Sequence, residues 1–116
     1  MRKSLTKRER LKKNSEFRKV FSGSKKYSVE GANLYFISNG LDYNRIGITL
    51  SRKFGTSVER NQTKRRIREI YRHTKEDLAA GFDLVILARP GHYSYWDRKK
   101  QLFRLFEKAK LFKNSP

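Results

Sequence analysis

The run from Phe82 to Arg89 reads FDLVILAR. Taken as a strand, it is apolar on both faces, so neither face suits water. A strand of this kind belongs in the buried part of a sheet. Gly81 before it and Pro90-Gly91 after it hold it to strand length. The other elements of the chain must therefore supply what covers it. With 116 residues, 36% of them hydrophobic and 13% aromatic, there is material for one small core and one domain, 1–116. The ends, 1–6 and 113–116, are expected to be loosely ordered.

The remaining elements follow from periodicity and punctuation. Asn14 or Ser15 can cap a short helix that Gly23 ends, with Phe17, Val20 and Phe21 on one face. Ala32 to Ser38 reads as a strand, with Leu34 and Phe36 on one side and Tyr35 and Ile37 on the other. Arg45 to Ser51 is a second strand; Ile46, Ile48 and Leu50 face one way, and the small Gly47, Thr49 and Ser51 the other. A turn at Leu41 to Asn44 predicts an antiparallel hairpin between these two. A long helix from Ser57 to about His73 is followed by a short helical stretch to Ala80. A last helix runs from Ser94 or Tyr95 to Lys110, with Leu102, Phe103, Phe106 and Ala109 inward. The order α-β-β-α-β-α predicts an α/β (α+β) two-layer sandwich on a small mixed sheet. The long helix is then the crossover between two parallel strands.

Charge decides the class of partner. Lys and Arg number 29 against 11 Asp and Glu, a formal +18. Such a domain repels itself, and a bound polyanion removes the repulsion. The charge is clustered: seven basic residues and one acid in Arg2–Lys13, nine and two in Arg52–Lys75, seven and one in Arg98–Lys113. Clusters point to phosphate-binding surfaces, although the last block reads more simply as a solvated face. There is no lipidation motif and no apolar stretch of membrane-spanning length, so nucleic acid is favoured over a membrane. The chain has no cysteine, which removes disulfides and thiolate metal sites and fits a cytoplasmic protein. His73 and His92 are the only histidines, and no pair of general bases stands at a spacing suited to hydrolysis by the protein itself.

The long helix carries the most information. Thr63, Ile67, Ile70 and Tyr71 share its core side, while Asn61, Arg65, Arg68 and Arg72 recur at i, i+4, i+7 and i+11 on the opposite flank, bordered by Lys64. Like charges so placed destabilise an isolated helix by a few tenths of a kcal/mol per pair, and phosphates would neutralise them. Arginine suits this because its planar fork grips phosphate oxygens bidentately. Asn61 can both donate and accept, as a base edge or 2′-hydroxyl requires. Arg60, nearer the core side, has two readings: it ties down the preceding loop or it joins the stripe.

The run Arg60-Asn61-Gln62-Thr63-Lys64-Arg65-Arg66-Ile67-Arg68-Glu69 resembles the signature helix of the ribonuclease P protein family. That helix commonly reads Arg-Asn-Arg, then Lys-Arg two residues later, then Arg-Glu. RLKKNSEFRKVF (Arg10–Phe21), RIGITLSRKFG (Arg45–Gly55) and FDLVILARPG (Phe82–Gly91) resemble further family segments in the expected order, so the likeness spans positions 7 to 110. The chain departs from the pattern at Gln62, where many members carry arginine, and at Thr63, where an aliphatic is usual. Arg66 is a candidate to compensate for the missing charge.

The resemblance implies a small sandwich whose parallel crossover is left-handed. It also implies a protein subunit of an endoribonuclease in which a catalytic RNA, with Mg²⁺ held through that RNA, hydrolyses the 5′ leader from precursor tRNA. No metal held by protein side chains and no further protein partner is implied. By position, Arg52, Lys53, Arg60, Asn61, Lys64, Arg65, Arg68 and Arg72 would face the catalytic RNA. Lys13, Phe17, Arg18, Phe21 and Tyr35 would border a cleft for the leader, between the first helix and the open face of the sheet. From the residues alone, Phe17 and Phe21 read either as core side chains of an amphipathic helix or as a platform on which bases stack. A ribosomal-type structural RNA binder is the alternative that composition leaves open.

Overall fold

The computed structural model describes residues 5–113. Three α-helices, α1 (Asn14–Gly23), α2 (Ser57–Thr74) and α3 (Tyr95–Lys108), accompany four strands, β1 (Tyr27–Val29), β2 (Ala32–Ser38), β3 (Arg45–Leu50) and β4 (Phe82–Ala88). Short 3₁₀ turns lie at Lys7–Glu9 and Lys75–Asp77. The sheet is mixed, in the order β1-β2-β4-β3, and the expected α+β sandwich is what forms.

The strand apolar on both faces lies inside the sheet. β4 pairs antiparallel with β2, from Ala32 opposite Ala88 to Ser38 opposite Phe82. On its other side it pairs parallel with β3, from Arg45 opposite Asp83 to Leu50 opposite Ala88. The hairpin expected between β2 and β3 therefore does not form, because β4 is inserted between them. Asparagines in the connection explain why the loop opens. Asn44 donates to Ala79 O and accepts from Phe82 N, both at 2.8 Å, and Asn39 N donates to Gly81 O at 2.9 Å. The loop thus wraps the entry to β4 instead of folding β3 back onto β2. Gly81 makes that entry possible with φ +99°, a value that glycine adopts without strain.

β1, a three-residue edge strand, was not expected from the sequence. It pairs antiparallel with β2, and Tyr27 stacks on Phe36 with ring centres 5.4 Å apart. The start of α1 also differs from expectation. Neither Asn14 nor Ser15 caps it; Lys13 holds the cap position, and the Glu16 carboxylate accepts from the Lys12 and Lys13 amides at 3.0 and 2.9 Å.

The main core lies between one sheet face and α2 with α3. Leu34, Ile46, Leu84 and Ile86 of the sheet meet Ile67, Ile70 and Tyr71 of α2 and Leu102, Leu105 and Phe106 of α3, all essentially inaccessible. Each such side chain contributes about 1.5–3 kcal/mol by burial. Leu105, not Phe103, completes the inner face of α3, and Phe103 is exposed. Thr63 is only half-buried, its hydroxyl donating to Glu59 O at 2.9 Å. A smaller cluster of Leu11, Val20 and Val85 lies on the opposite sheet face under α1, with Phe17, Phe21, Tyr35 and Ile37 half-buried around it.

Arg98, from the block that reads as solvated, is 3% exposed. It donates to Gly31 O (2.9 Å), Arg89 O (2.9 Å) and Gln101 Oε1 (3.0 Å), joining the β1–β2 turn, the end of β4 and α3. The ends expected to be loose lie partly outside the described residues. Within them, Leu5 packs on the core and Lys113 N donates to Asp77 O at 2.8 Å.

Candidate nucleic-acid interface

Local chemistry at its two ends sets the charge of α2. At the start, Thr56 Oγ1 accepts from Glu59 N at 3.2 Å, and the Glu59 carboxylate accepts from Thr56 Oγ1 at 3.1 Å. This capping box fixes where the helix begins and occupies Glu59 there. Near the end, Glu69 accepts two bonds from Arg72, at 2.9 and 2.7 Å, and lies 3.0 Å from His73 Nε2. The Arg72 guanidinium first, then His73, holds the Glu69 carboxyl down at about 2. Both acids are thus engaged at the helix ends. Asn61, Arg65 and Arg68 between them are exposed and Lys64 is half-buried, and none of these cations has a carboxylate partner among the described residues. Arg72 closes the stripe already neutralised.

Two residues of the signature run turn elsewhere. Arg66 donates to Tyr93 O at 3.3 Å, toward α3, so it does not replace the charge missing at the exposed Gln62. Arg60 is half-buried. Arg52 and Lys53 are exposed in the turn after β3, which the buried Phe54 anchors to the core.

On the other sheet face, α1 and β3 build an aromatic wall. A Cβ on Gly47 would fall 2.5 Å from Phe17 Cε1, so the ring sits directly on backbone that only glycine leaves uncovered. Phe21 meets Tyr35 edge-on, ring centres 4.7 Å apart. Phe17, Phe21 and Tyr35 are each half-buried, so the two phenylalanines are neither fully enclosed in the core nor fully exposed. Lys13 and Arg18 are exposed on the same helix.

An ion-pair network sets the position of α1. Arg45 makes two bonds to Asp83, at 2.8 and 2.7 Å, and one to Glu16 of α1, at 3.2 Å. Backbone amides of Lys13 and Lys12 chiefly, and Arg45 as well, hold the Glu16 carboxyl below its usual range. Asn39 Nδ2 adds a bond to Asp83 at 2.9 Å. β3, β4 and the first turn of α1 are thereby locked together beneath the cleft.

The cleft, of about 240 Å³, is lined by Phe17 and Gly47 but also by Arg10, Lys12, Lys64 and Arg68. The two groups that the sequence assigns to separate surfaces therefore meet. Arg10 and Lys12 were missed as site residues. Leu11 N, which lies between them, donates to Ile46 O at 2.9 Å, and this brings the arm alongside β3. The signals in the sequence were the basic character of the arm and the likeness of Arg10–Phe21 to a family segment. Tyr35 is not among the residues that line this cleft; it borders the platform through Phe21.

Among the described residues, no three His, Cys, Asp or Glu side chains come together to hold a metal ion. No helix there is long and apolar enough to cross a membrane.

Comparison with known proteins gives a consistent result. The family model described as Ribonuclease P matches residues 5–110. The Ribonuclease P protein component of Natranaerobius thermophilus is 36% identical over 107 residues, 90% of this chain and 93% of that protein. The solved RNase P protein of Thermotoga maritima superposes with a TM-score of 0.78 at 34% identity, covering 86% of this chain and 96% of that one. That of Staphylococcus aureus superposes with a TM-score of 0.83 at 28% identity, covering 90% and 97%.

Proposed function

Since the chain belongs to the ribonuclease P protein family, we propose that it grips the catalytic RNA of that ribonucleoprotein with α2 and the precursor tRNA leader with the cleft under α1. It is the protein component of an endoribonuclease and assists its RNA subunit in processing the tRNA 5′ end. Family membership sets aside the ribosomal-type alternative.

In this reading Arg52, Lys53, Arg60, Asn61, Lys64, Arg65, Arg68 and Arg72 face the catalytic RNA, and Lys13, Phe17, Arg18, Phe21 and Tyr35 face the leader. The observation that supports it most is the shared cleft, where the Phe17 ring and the cations Lys64 and Arg68 line one wall-to-wall space. A single strand needs this combination, rings for its bases and cations for its phosphates. Arg68, exposed on α2 and lining the cleft, would join the leader to the catalytic RNA.

Six of the eleven acidic side chains are already partnered within the fold: Glu9, Glu16, Glu59, Glu69, Asp83 and Asp97 are all engaged in caps or ion pairs. In this reading Mg²⁺ is held through the RNA, and the protein acts by neutralising phosphates around it. Work beside tRNA precursors in the cytoplasm, as one domain with no further protein partner, completes the reading.

Reconstitution tests it. The protein is expected to lower the Mg²⁺ concentration at which ribonuclease P RNA cleaves precursor tRNA, and to tighten binding of substrates with a leader over substrates without one. An unchanged Mg²⁺ dependence together with equal affinity for both substrates would overturn it.

A further inference from the structure

Trp96 is 66% exposed and Phe103 36% exposed on α3, and neither lines the cleft beside α1. They stand seven residues apart, two helical turns, with Lys99 between them. The Lys99 ammonium lies 5.4 Å from the Trp96 ring centre and 5.8 Å from that of Phe103. Each ring is braced from one side: Tyr95 meets Trp96 edge-on at 5.4 Å, and Phe112 lies 5.7 Å from Phe103. A lone exposed ring is unremarkable on a protein surface. Two braced rings sharing one cation form a small, shaped feature.

We infer that Trp96, Lys99 and Phe103 form a further RNA-binding site, which takes an unpaired base on its rings and an adjacent phosphate on Lys99. This rests on the reading of the chain as an RNA-binding subunit and adds a contact that neither α2 nor the cleft supplies.

Charge selects RNA over the other occupants. A flat apolar protein partner would bury the Lys99 ammonium with no counter-ion, a cost of several kcal/mol. A nucleotide satisfies rings and ammonium together. A second copy of the chain would bring another +18 surface against this one. A membrane would find two rings on a helix whose apolar side is already committed to the core. The exposed Lys100 and Arg104 flank the rings. The helix that carries the rings, α3, packs beside α2.

Trp96 is the only tryptophan of the chain, so its emission reports on this site alone. Titration with a short oligoadenylate, and separately with ribonuclease P RNA, is expected to quench it. An abasic oligonucleotide of the same length should leave it bright. By anisotropy of labelled oligoadenylate, Trp96→Ala and Phe103→Ala should each weaken binding roughly five- to a hundredfold, with Trp96→Phe retaining most of the affinity. Circular dichroism and the urea midpoint check that Trp96→Ala, a change at an exposed position, leaves the fold intact. The inference is overturned if emission ignores RNA and Trp96→Ala binds as well as the parent. Emission that responds only to anionic phosphatidylserine vesicles, or only to protein concentration, overturns it too. Arg65→Ala separates the two failures. If it weakens assembly with ribonuclease P RNA while Trp96→Ala does not, this inference alone falls; if neither has an effect, the reading of α2 falls with it.

Discussion

α1 and α2 lie on opposite faces of one sheet and treat their apolar sides differently. α2 buries Ile67, Ile70, Tyr71 and Thr74 to 3% exposure or less and leaves its opposite flank to cations. α1 fully buries Val20 alone and keeps Phe17 and Phe21 half open. A surface that recognises phosphates needs charge held on a rigid support, so its helix can be anchored as firmly as packing allows. In the proposed reading, a surface that stacks bases must leave rings partly uncovered, and the helix carrying them gives up burial. α1 is held instead at its first turn, by the Arg45 bonds to Glu16 and Asp83.

That contrast can be broken most directly by truncating both apolar sides. Ile67→Ala should destabilise the fold by about 2–5 kcal/mol in urea unfolding, and Phe17→Ala by clearly less, while lowering affinity for leader-bearing substrate. Equal losses of stability would mean that α1 is core and that the platform reading fails. Gly47→Ala comes next. Its methyl would press into the Phe17 ring, costing about 1–3 kcal/mol and weakening binding of substrates with a leader more than of substrates without one. Smaller changes should follow from the stripe. Arg65→Ala and Arg68→Ala should each reduce the salt dependence of catalytic-RNA binding by about one counterion, and Arg68→Ala alone should also weaken leader binding, since Arg68 lines the cleft.

The smallest effect is a pH dependence. The Glu69 pKa is depressed in the fold to about 2, chiefly by Arg72. Whatever stability this group supplies is present above its unfolded value near 4.5 and is lost as pH falls from there toward 2. A Glu69→Gln variant should match the parent at the acid end of that range and fall slightly behind above it, the difference shrinking with added salt because the pair is exposed. A difference that grows on acidification would reverse the assignment.

The sequence revealed faces more readily than neighbours. β2, β4 and the span of α2 are legible because apolar period and glycine stops are local properties. The pairing of β2 with β4 rather than β3 was not legible, since it is set by asparagine bonds from Asn39 and Asn44 to residues about forty positions away. The two-faced apolar character of β4 was the available clue to its central place. β1 was missed because three residues carry too little period to register. Arg98 was misjudged because only the folded chain brings Gly31 and Arg89 carbonyls to it. For the site, the stripe on α2 was readable from spacing, and the cleft proposed for the leader from resemblance. That Lys64 and Arg68 meet Phe17 depends on β3 lying between α1 and α2, which no local pattern states.

The insertion of β4 has a consequence for the newborn chain. Residues 32–50 leave the ribosome before 82–88, and until then β2 and β3 have no partner along the edges that β4 will fill. At synthesis rates of about 5–20 residues per second, this interval lasts on the order of seconds. Unpaired strand edges invite association with other chains. Twenty-one of the 29 basic residues lie at or before position 75, against six acids by the same point. The nascent protein therefore carries its repulsive charge before it can close its sheet, so the same excess that serves RNA binding would keep half-made copies apart.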